Sequence, residues 1–252
     1  MASVWEELPG NGGAIAVHLS NGNSAGSATG VVVLVHGFPL ERDTSGQAGR
    51  TFPALADRLA AESGWRVVAG CLRGVAPSEG DFSLEGWFED IGSLVDHAHG
   101  LADGSGIRLV GFGTSGGLSL CLGAKDPRIG GVACLGSSST FDEWARDLSE
   151  MVDFARRVGV IRTPGFPEDV AAWGSQFMSF RPDRAIAQMA PRPVLVVHGT
   201  ADEGVPVSDA RALAEAGGEG TELRLVAGAG HQLRADPRAV ALLVGWLERQ
   251  GP

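Results

Sequence analysis

Short apolar runs alternate along the chain with longer stretches in which apolar residues recur every three or four positions. The runs are rich in valine and predict buried strands, whereas the periodic stretches predict helices that cover a sheet. The predicted strands span residues 14–20, 31–35, 66–70, 107–112, 131–136, 192–199 and 222–228. The predicted helices span residues 50–63, 84–102, 116–124, 209–217 and 237–250. This alternation predicts an α/β fold with a mostly parallel central sheet and helices on both faces.

One interval departs from this alternation, because about 55 residues separate the strand at 131–136 from the strand at 192–199. A single crossover helix needs fewer residues. Two helices are predicted in the interval, at 140–159 and 168–180, and both are rich in aromatic residues and methionine. We interpret residues 140–191 as a small helical lid inserted into the α/β domain.

The aromatic side chains of this predicted lid can serve in two ways. They either pack against one another or form the wall of an apolar substrate pocket. We place three of them in the substrate-binding set, namely Trp144, Trp173 and Phe177.

Residues 109–117 read LVGFGTSGG and carry two overlapping motifs. Gly111 to Gly116 fits G-x-G-x-x-G, a loop that binds a dinucleotide pyrophosphate, and Gly113 to Gly117 fits G-x-S-x-G, a turn that presents a nucleophilic serine. A dinucleotide loop opens the first strand–helix unit and is followed about 20 residues later by an acidic residue. Here three predicted strands precede the loop and no acidic residue ends the next strand. The sequence therefore favours a nucleophile elbow with Ser115.

An acidic residue and a histidine follow two later strands in the order that a catalytic triad requires. Asp202 comes after the predicted strand at 192–199, and His231 comes after the strand at 222–228. Because the carboxyl ends of parallel strands share one edge of a sheet, we expect Ser115, Asp202 and His231 to lie close together.

Each of these residue types has a chemical task. A serine hydroxyl needs an adjacent base, which would be His231, and Asp202 would fix the tautomer of that imidazole. The backbone N–H groups of Phe38, in the loop after the strand at 31–35, and of Gly116 would stabilise the oxyanion.

Five segments together resemble the α/β-hydrolase family, over nearly the whole chain. They are HGF at 36–38, LRGVAPSEGDF at 72–82, the elbow at 111–117, HGTADEGVPV at 198–207 and GAGH at 228–231. The resemblance implies the α/β-hydrolase fold and a serine hydrolase that cleaves a small acyl ester or related acyl compound. The resemblance also implies that the reaction of this hydrolase proceeds through an acyl-enzyme on Ser115.

The elbow departs from the family pattern in one respect, because the first glycine of the family's motif directly follows the strand. In this sequence that glycine is Gly111, and the nucleophile position then falls on Gly113. Small residues flank Gly113 and Ser115 equally, so both registers fit the turn. The alternative to a serine hydrolase is a binding protein, or an enzyme without a serine nucleophile, in which Gly113 occupies the elbow.

Length and charge limit the remaining choices. The 252 residues suit a single domain covering 1–252, and the net charge of −10 argues against nucleic-acid and anionic-membrane surfaces. The scattered cysteines, Cys71, Cys121 and Cys134, have no metal-binding spacing and are expected to be reduced core residues. The acidic start without an apolar segment predicts a cytoplasmic protein. We expect a small-molecule acyl substrate as partner, no cofactor and no metal.

Overall fold

A computed structural model of the protein describes residues 5–22, 30–40, 42–102 and 106–251, without the side chains of 42–47. The first four residues, which contribute to the prediction of a cytoplasmic protein, lie outside the described residues. The described strands form one eight-stranded sheet. They are β1 (Glu6–Gly10), β2 (Gly13–Ser20), β3 (Val31–Val35), β4 (Arg66–Cys71), β5 (Ile107–Phe112), β6 (Ile129–Leu135), β7 (Val194–Gly199) and β8 (Thr221–Val226).

The sheet has the order β1-β2-β4-β3-β5-β6-β7-β8. β1 and β2 are antiparallel to their neighbours, and every pair from β4 to β8 is parallel. All residues of β3 and β7 are buried, which requires cover on both faces of the sheet. The predicted mostly parallel sheet is confirmed.

Helices supply that cover. They are α1 (Arg42–Ser63), α2 (Leu84–Leu101), α3 (Thr114–Lys125), α4 (Leu148–Arg157), α5 (Val170–Ser179), α6 (Pro182–Ala185), α7 (Val207–Gly217) and α8 (Pro237–Arg249). α1 packs against α8 and the strands β2 and β4. α2 and α3 pack against each other; α2 also packs against β3, and α3 packs against β5 and β6. None of the helices in the described residues is both long and apolar enough to cross a membrane.

Two elements differ from the sequence predictions. β1 was not predicted, because Pro9 and Gly10 are unfavourable in most strands; an edge strand accepts them since one of its sides needs no partner. The predicted helix at 140–159 is divided into a 3-10 turn, Asp142–Ala145, and α4. Asp147 causes the division, because its side chain accepts the N–H of Glu150 and begins a new helix.

Candidate active site

A sharp turn at Gly113 joins the end of β5 to the beginning of α3. Its backbone angles are φ 52° and ψ −125°, a combination that strains any residue with a side chain. The turn is also tight, because a Cβ on Gly111 would lie 2.6 Å from the Cα of Gly116. Strand β5 therefore ends at Phe112, and Gly113 forms the apex of the elbow.

The missing side chain of Gly113 would point at His231. A Cβ built on Gly113 would lie 3.7 Å from His231 Nε2 and 3.5 Å from the Cα of Gly37. This is the direction that a nucleophile at the apex of an elbow takes toward its base. Gly113 thus lies at the apex of the turn, where a nucleophile elbow presents its serine.

Ser115 does not lie where the predicted triad needs it. Its side chain is fully buried, and its Oγ has no hydrogen-bond partner among the residues that the structure describes, His231 included. Ser115 also lines neither of the cavities that Gly113 borders. The expected contact between Ser115 and His231 is therefore wrong, because the strand ends two residues too early to bring Ser115 to the apex.

The structure does bring Asp202 and His231 together. His231 Nδ1 and Asp202 Oδ2 are 2.9 Å apart, and Asp202 Oδ1 accepts the N–H groups of Gly204 and Val205 at 2.9 Å each. Burial by itself raises the pKa of the Asp202 carboxyl, but the hydrogen bonds from His231 and the two backbone groups bring it below its ordinary value. An ionised Asp202 requires the proton of His231 on Nδ1, which leaves Nε2 free to accept a proton on the Gly113 side.

His198 lies behind this pair and was not predicted as a site residue. Its ring is fully buried at the end of β7, with Nε2 3.4 Å from Asp202 Oδ2 and 3.0 Å from the carbonyl oxygen of Val205. The sequence signal was the HG pair after an apolar strand. We infer that His198 holds the loop that carries Asp202 in position through these two contacts.

The prediction that Gly116 contributes to the oxyanion hole is wrong. Its N–H donates to the carbonyl oxygen of Gly113 at 3.0 Å and is therefore engaged within the turn. Thr114 is better placed, because it is the first residue of α3, whose N–H has no acceptor within the helix, and it lines the cavity beside His231. The second predicted donor, Phe38, lines the same cavity.

His36 holds the loop that carries Phe38. Its Nδ1 lies 3.0 Å from the carbonyl oxygen of Gly37, and its Nε2 accepts the N–H of Leu72 at 3.0 Å. The pKa of His36 is about 4, mainly because burial of the ring lowers it. The contact with the Gly37 carbonyl raises this pKa, and the nearby charge of Arg234 lowers it. His36 is thus a neutral positioning residue at pH 7.

Two cavities meet at the elbow. The larger has a volume of about 300 Å³ and the smaller about 60 Å³. Both are lined by Phe38, Leu40, Gly113 and His231. A reacting group between Gly113 and His231 would therefore have space on two sides.

The three predicted substrate-binding aromatics have different positions. Trp144 lines the larger cavity, and its ring centroid is 5.1 Å from that of Phe38. Trp173 and Phe177 are buried, line neither cavity beside His231, and contact each other at 4.8 Å between ring centroids. Trp173 also donates its indole N–H to the carbonyl oxygen of Phe82 at 3.1 Å. The structure therefore places Trp173 and Phe177 in the core and away from the cavities beside His231, contrary to the predicted substrate-binding set.

The cysteines offer no alternative nucleophile. Cys71, Cys121 and Cys134 are all buried and unpaired. Burial raises the pKa of each thiol to about 12, so the reactive thiolate is scarce at neutral pH.

Curated proteins that match the sequence cover only part of it. No family model matches the chain. The uncharacterized protein YfhR of Salmonella typhi is 30% identical over 154 residues, which cover 56% of this chain and 46% of YfhR. YfhR of Salmonella typhimurium matches to the same extent. The chain thus spans about half the length of the curated relatives that it matches.

Solved structures match over nearly the whole chain. A serine hydrolase homologue from Coxiella burnetii is 18% identical with a TM-score of 0.62, covering 99% of this chain and 98% of that one. Est1E from Butyrivibrio proteoclasticus, with ferulic acid bound, is 17% identical with a TM-score of 0.72 and 97% coverage of both chains. The α/β hydrolase GrgF from Penicillium sp. sh18 is 17% identical with a TM-score of 0.72 and 99% coverage of both. The chain therefore has the α/β-hydrolase fold, as its sequence motifs predicted.

Proposed function

We propose that the protein hydrolyses a small acyl ester or related acyl compound without an acyl-enzyme intermediate. In this mechanism His231, held by Asp202, activates a water molecule directly. One observation carries the proposal: the apex of the elbow is a glycine whose absent side chain would point at Nε2 of His231.

The space left by that side chain suits a water molecule. A Cβ at position 113 would be 3.7 Å from His231 Nε2, so an oxygen atom just beyond it comes within hydrogen-bond reach of the ring. Nε2 would accept a proton from this water while the water oxygen forms a bond to the acyl carbon. The imidazolium would then return the proton to the leaving oxygen as the acyl–oxygen bond breaks, with Asp202 stabilising the imidazolium meanwhile.

Two backbone donors support the same reaction. The N–H groups of Thr114 and Phe38 would hold the oxyanion of the tetrahedral intermediate beside the N-terminus of α3, where the helix dipole favours negative charge. Losing one such donor typically lowers the rate by about 10²–10³-fold.

Two alternatives compete with this mechanism: a covalent acyl-enzyme and a protein that only binds its ligand. An acyl-enzyme on Ser115 would require that side chain to leave its buried position. A binding protein that uses the same pocket without catalysis is the second candidate, and the missing nucleophile side chain at Gly113 favours it.

Wild type and two variants, Ser115→Ala and His231→Ala, distinguish these alternatives when hydrolysis of p-nitrophenyl acetate is followed beside labelling with a fluorophosphonate probe. The proposal expects wild-type hydrolysis without labelling, retention of the rate in Ser115→Ala and its loss in His231→Ala. Labelling that disappears in Ser115→Ala would instead establish the acyl-enzyme. Equal, uncatalysed rates for wild type and His231→Ala over a panel of short esters would favour the binding protein.

A further inference from the structure

Arg234 is a cation without a partner at the edge of the candidate active site. It lies in the 3-10 turn Leu233–Ala235, directly after His231 and Gln232, and it lines the smaller cavity together with Gly113 and His231. Among the residues that the structure describes, its guanidinium forms no hydrogen bond or ion pair. The residue is partly buried, and burial lowers the pKa of the guanidinium.

Other half-buried arginines that the structure describes donate to carboxylates or to carbonyl oxygens. Arg108, whose pKa burial lowers in the same way, donates to the carbonyl oxygen of Ile107 at 3.3 Å and lies over the ring of Trp65. Arg73 donates to the buried Asp90 at 2.7 Å, and Arg181 donates to Asp183 at 2.8 Å. A partly dehydrated charge without a partner is unfavourable, so most proteins pair it. Arg234 is therefore an exception that calls for an anionic ligand.

The smaller cavity contains nothing in its described lining that would satisfy this cation. Its lining includes no aspartate or glutamate, and its other polar side chains are those of His36, His231 and Gln232. His36 is neutral at pH 7, because burial lowers its pKa to about 4. Arg234 therefore supplies a positive charge to the described lining of the cavity, whereas the carboxylate of Asp202 is bound to His231 and does not line it.

The size of the cavity restricts the anion. A volume of about 60 Å³ accommodates a few atoms, since one water molecule requires about 10–15 Å³ on this measure. A carboxylate fits such a space and matches the planar fork of a guanidinium, which binds it through two parallel hydrogen bonds.

We propose that Arg234 binds a carboxylate of the substrate, so that the acyl compound is a half-ester of a short dicarboxylic acid. The inference rests on the proposed function for the reacting carbonyl, which would lie between Gly113 and His231. Because both cavities open at these two residues, the free carboxylate occupies the smaller cavity and the leaving group occupies the larger one. Only a few carbon atoms separate the carboxylate from the carbonyl.

Binding measurements test Arg234 independently of catalysis. The probes are succinate and its neutral counterpart succinamide, titrated calorimetrically into the intact protein. We expect succinate to bind wild type about tenfold or more tightly than it binds Arg234→Gln, with Arg234→Lys between them, because a charge-assisted bidentate contact is lost. Succinamide should bind wild type and Arg234→Gln equally weakly.

Arg238→Gln is the matched control for this experiment. It removes the same charge four residues away, at an exposed position where Arg238 pairs with Asp236 at 2.7 Å. Succinate affinity should be unchanged in this variant. Absence of succinate binding to wild type, equal binding to Arg234→Gln, or equal losses in Arg234→Gln and Arg238→Gln would each overturn the inference.

Hydrolysis separates failure of this inference from failure of the proposed function. We compare kcat/KM for p-nitrophenyl hemisuccinate with that for p-nitrophenyl butyrate, and expect a preference for the hemisuccinate that falls about tenfold in Arg234→Gln, mainly through KM. Hydrolysis of both esters without preference would overturn the carboxylate inference and leave the proposed function standing. If neither ester is hydrolysed but succinate binds through Arg234, the proposed function fails and the carboxylate site is supported.

Discussion

Gly113 and His231 face each other as a nucleophile and its base would, with the nucleophile's side chain absent. The distance from a Cβ on Gly113 to His231 Nε2 would be 3.7 Å. The base, its acidic partner and the tight turn are all in place around this gap, so the function of the site depends on what enters it.

Replacing Gly113 by serine should create a covalent nucleophile. We expect Gly113→Ser to become labelled by a fluorophosphonate probe, whereas wild type and Gly113→Ala stay unlabelled. Both variants place a side chain at φ 52°, which should cost about 1–3 kcal/mol of unfolding free energy in each. Labelling is read by mass spectrometry and stability by urea denaturation; a folded but unlabelled Gly113→Ser would show that Gly113 is not at the nucleophile position.

Removing the base, His231, or its acidic partner, Asp202, should lower the rate of ester hydrolysis. His231→Ala and Asp202→Asn are each expected to lower the rate of ester hydrolysis by about 10²–10⁴-fold, the usual contribution of general acid–base catalysis. The exposed His99 provides the control, and His99→Gln should retain the wild-type rate. Unchanged kcat/KM in His231→Ala would exclude a catalytic role for the pair.

The serine of the elbow should be dispensable. The Ser115 Oγ is buried without a partner in the described part of the chain, so Ser115→Ala removes an unsatisfied polar group and should leave the unfolding free energy unchanged or higher by about 1 kcal/mol. Ser78 is the contrasting buried serine, because its Oγ accepts the N–H of Ala16 and donates to the carbonyl oxygen of Cys71. Ser78→Ala should lose about 1–3 kcal/mol by urea denaturation. Equal effects of the two substitutions would contradict this.

Most of the fold could be predicted from the sequence, because valine-rich runs mark the strands. The two motifs after β7 and β8 likewise mark Asp202 and His231. The register of the elbow could not be anticipated in this way. Glycine, threonine and serine are all small, so the letters of residues 111–117 fit either apex, and only the end of β5 at Phe112 decides between them.

The sequence also could not predict which charged side chains form ion pairs. Arg234 follows the GAGH segment, and its position in the sequence does not indicate that it lacks a carboxylate partner. Trp173 and Phe177 share the aromatic character of Trp144, but burial places them in the core of the predicted lid and leaves Trp144 at the cavity.

The stability of the protein should fall in mild acid because of His36. Its pKa in the folded protein is about 4, below its ordinary value of 6.5, so between these values the unfolded chain takes up a proton that the folded chain does not. Unfolding free energy should therefore decrease by about 3 kcal/mol from pH 7 to pH 4 on account of this residue. Urea denaturation of His36→Gln should show a shallower decrease than wild type over that range, while His99→Gln keeps the wild-type slope. Parallel curves for wild type and His36→Gln would refute this.

The aromatic residues of the predicted lid should divide into two classes. Phe177→Ala removes a fully buried ring and should cost about 3–5 kcal/mol of stability without changing relative rates among esters. Trp144→Ala opens the larger cavity and should change those relative rates, by about 10-fold or more between leaving groups that differ in size. Rates are measured on a series of esters with growing alcohol groups. An unchanged series in Trp144→Ala would place its ring outside the substrate site.

The glycine at the apex also bears on how readily this protein could change its chemistry through mutation. A residue with a side chain at φ 52° strains the backbone, and glycine at position 113 avoids that strain. Some glycine codons become serine codons through a single base change. A gene that encodes Gly113 by GGT or GGC is thus one point mutation away from a serine at the apex, at the expense of some stability, because the turn, the base and the acid that a serine would need are already in place.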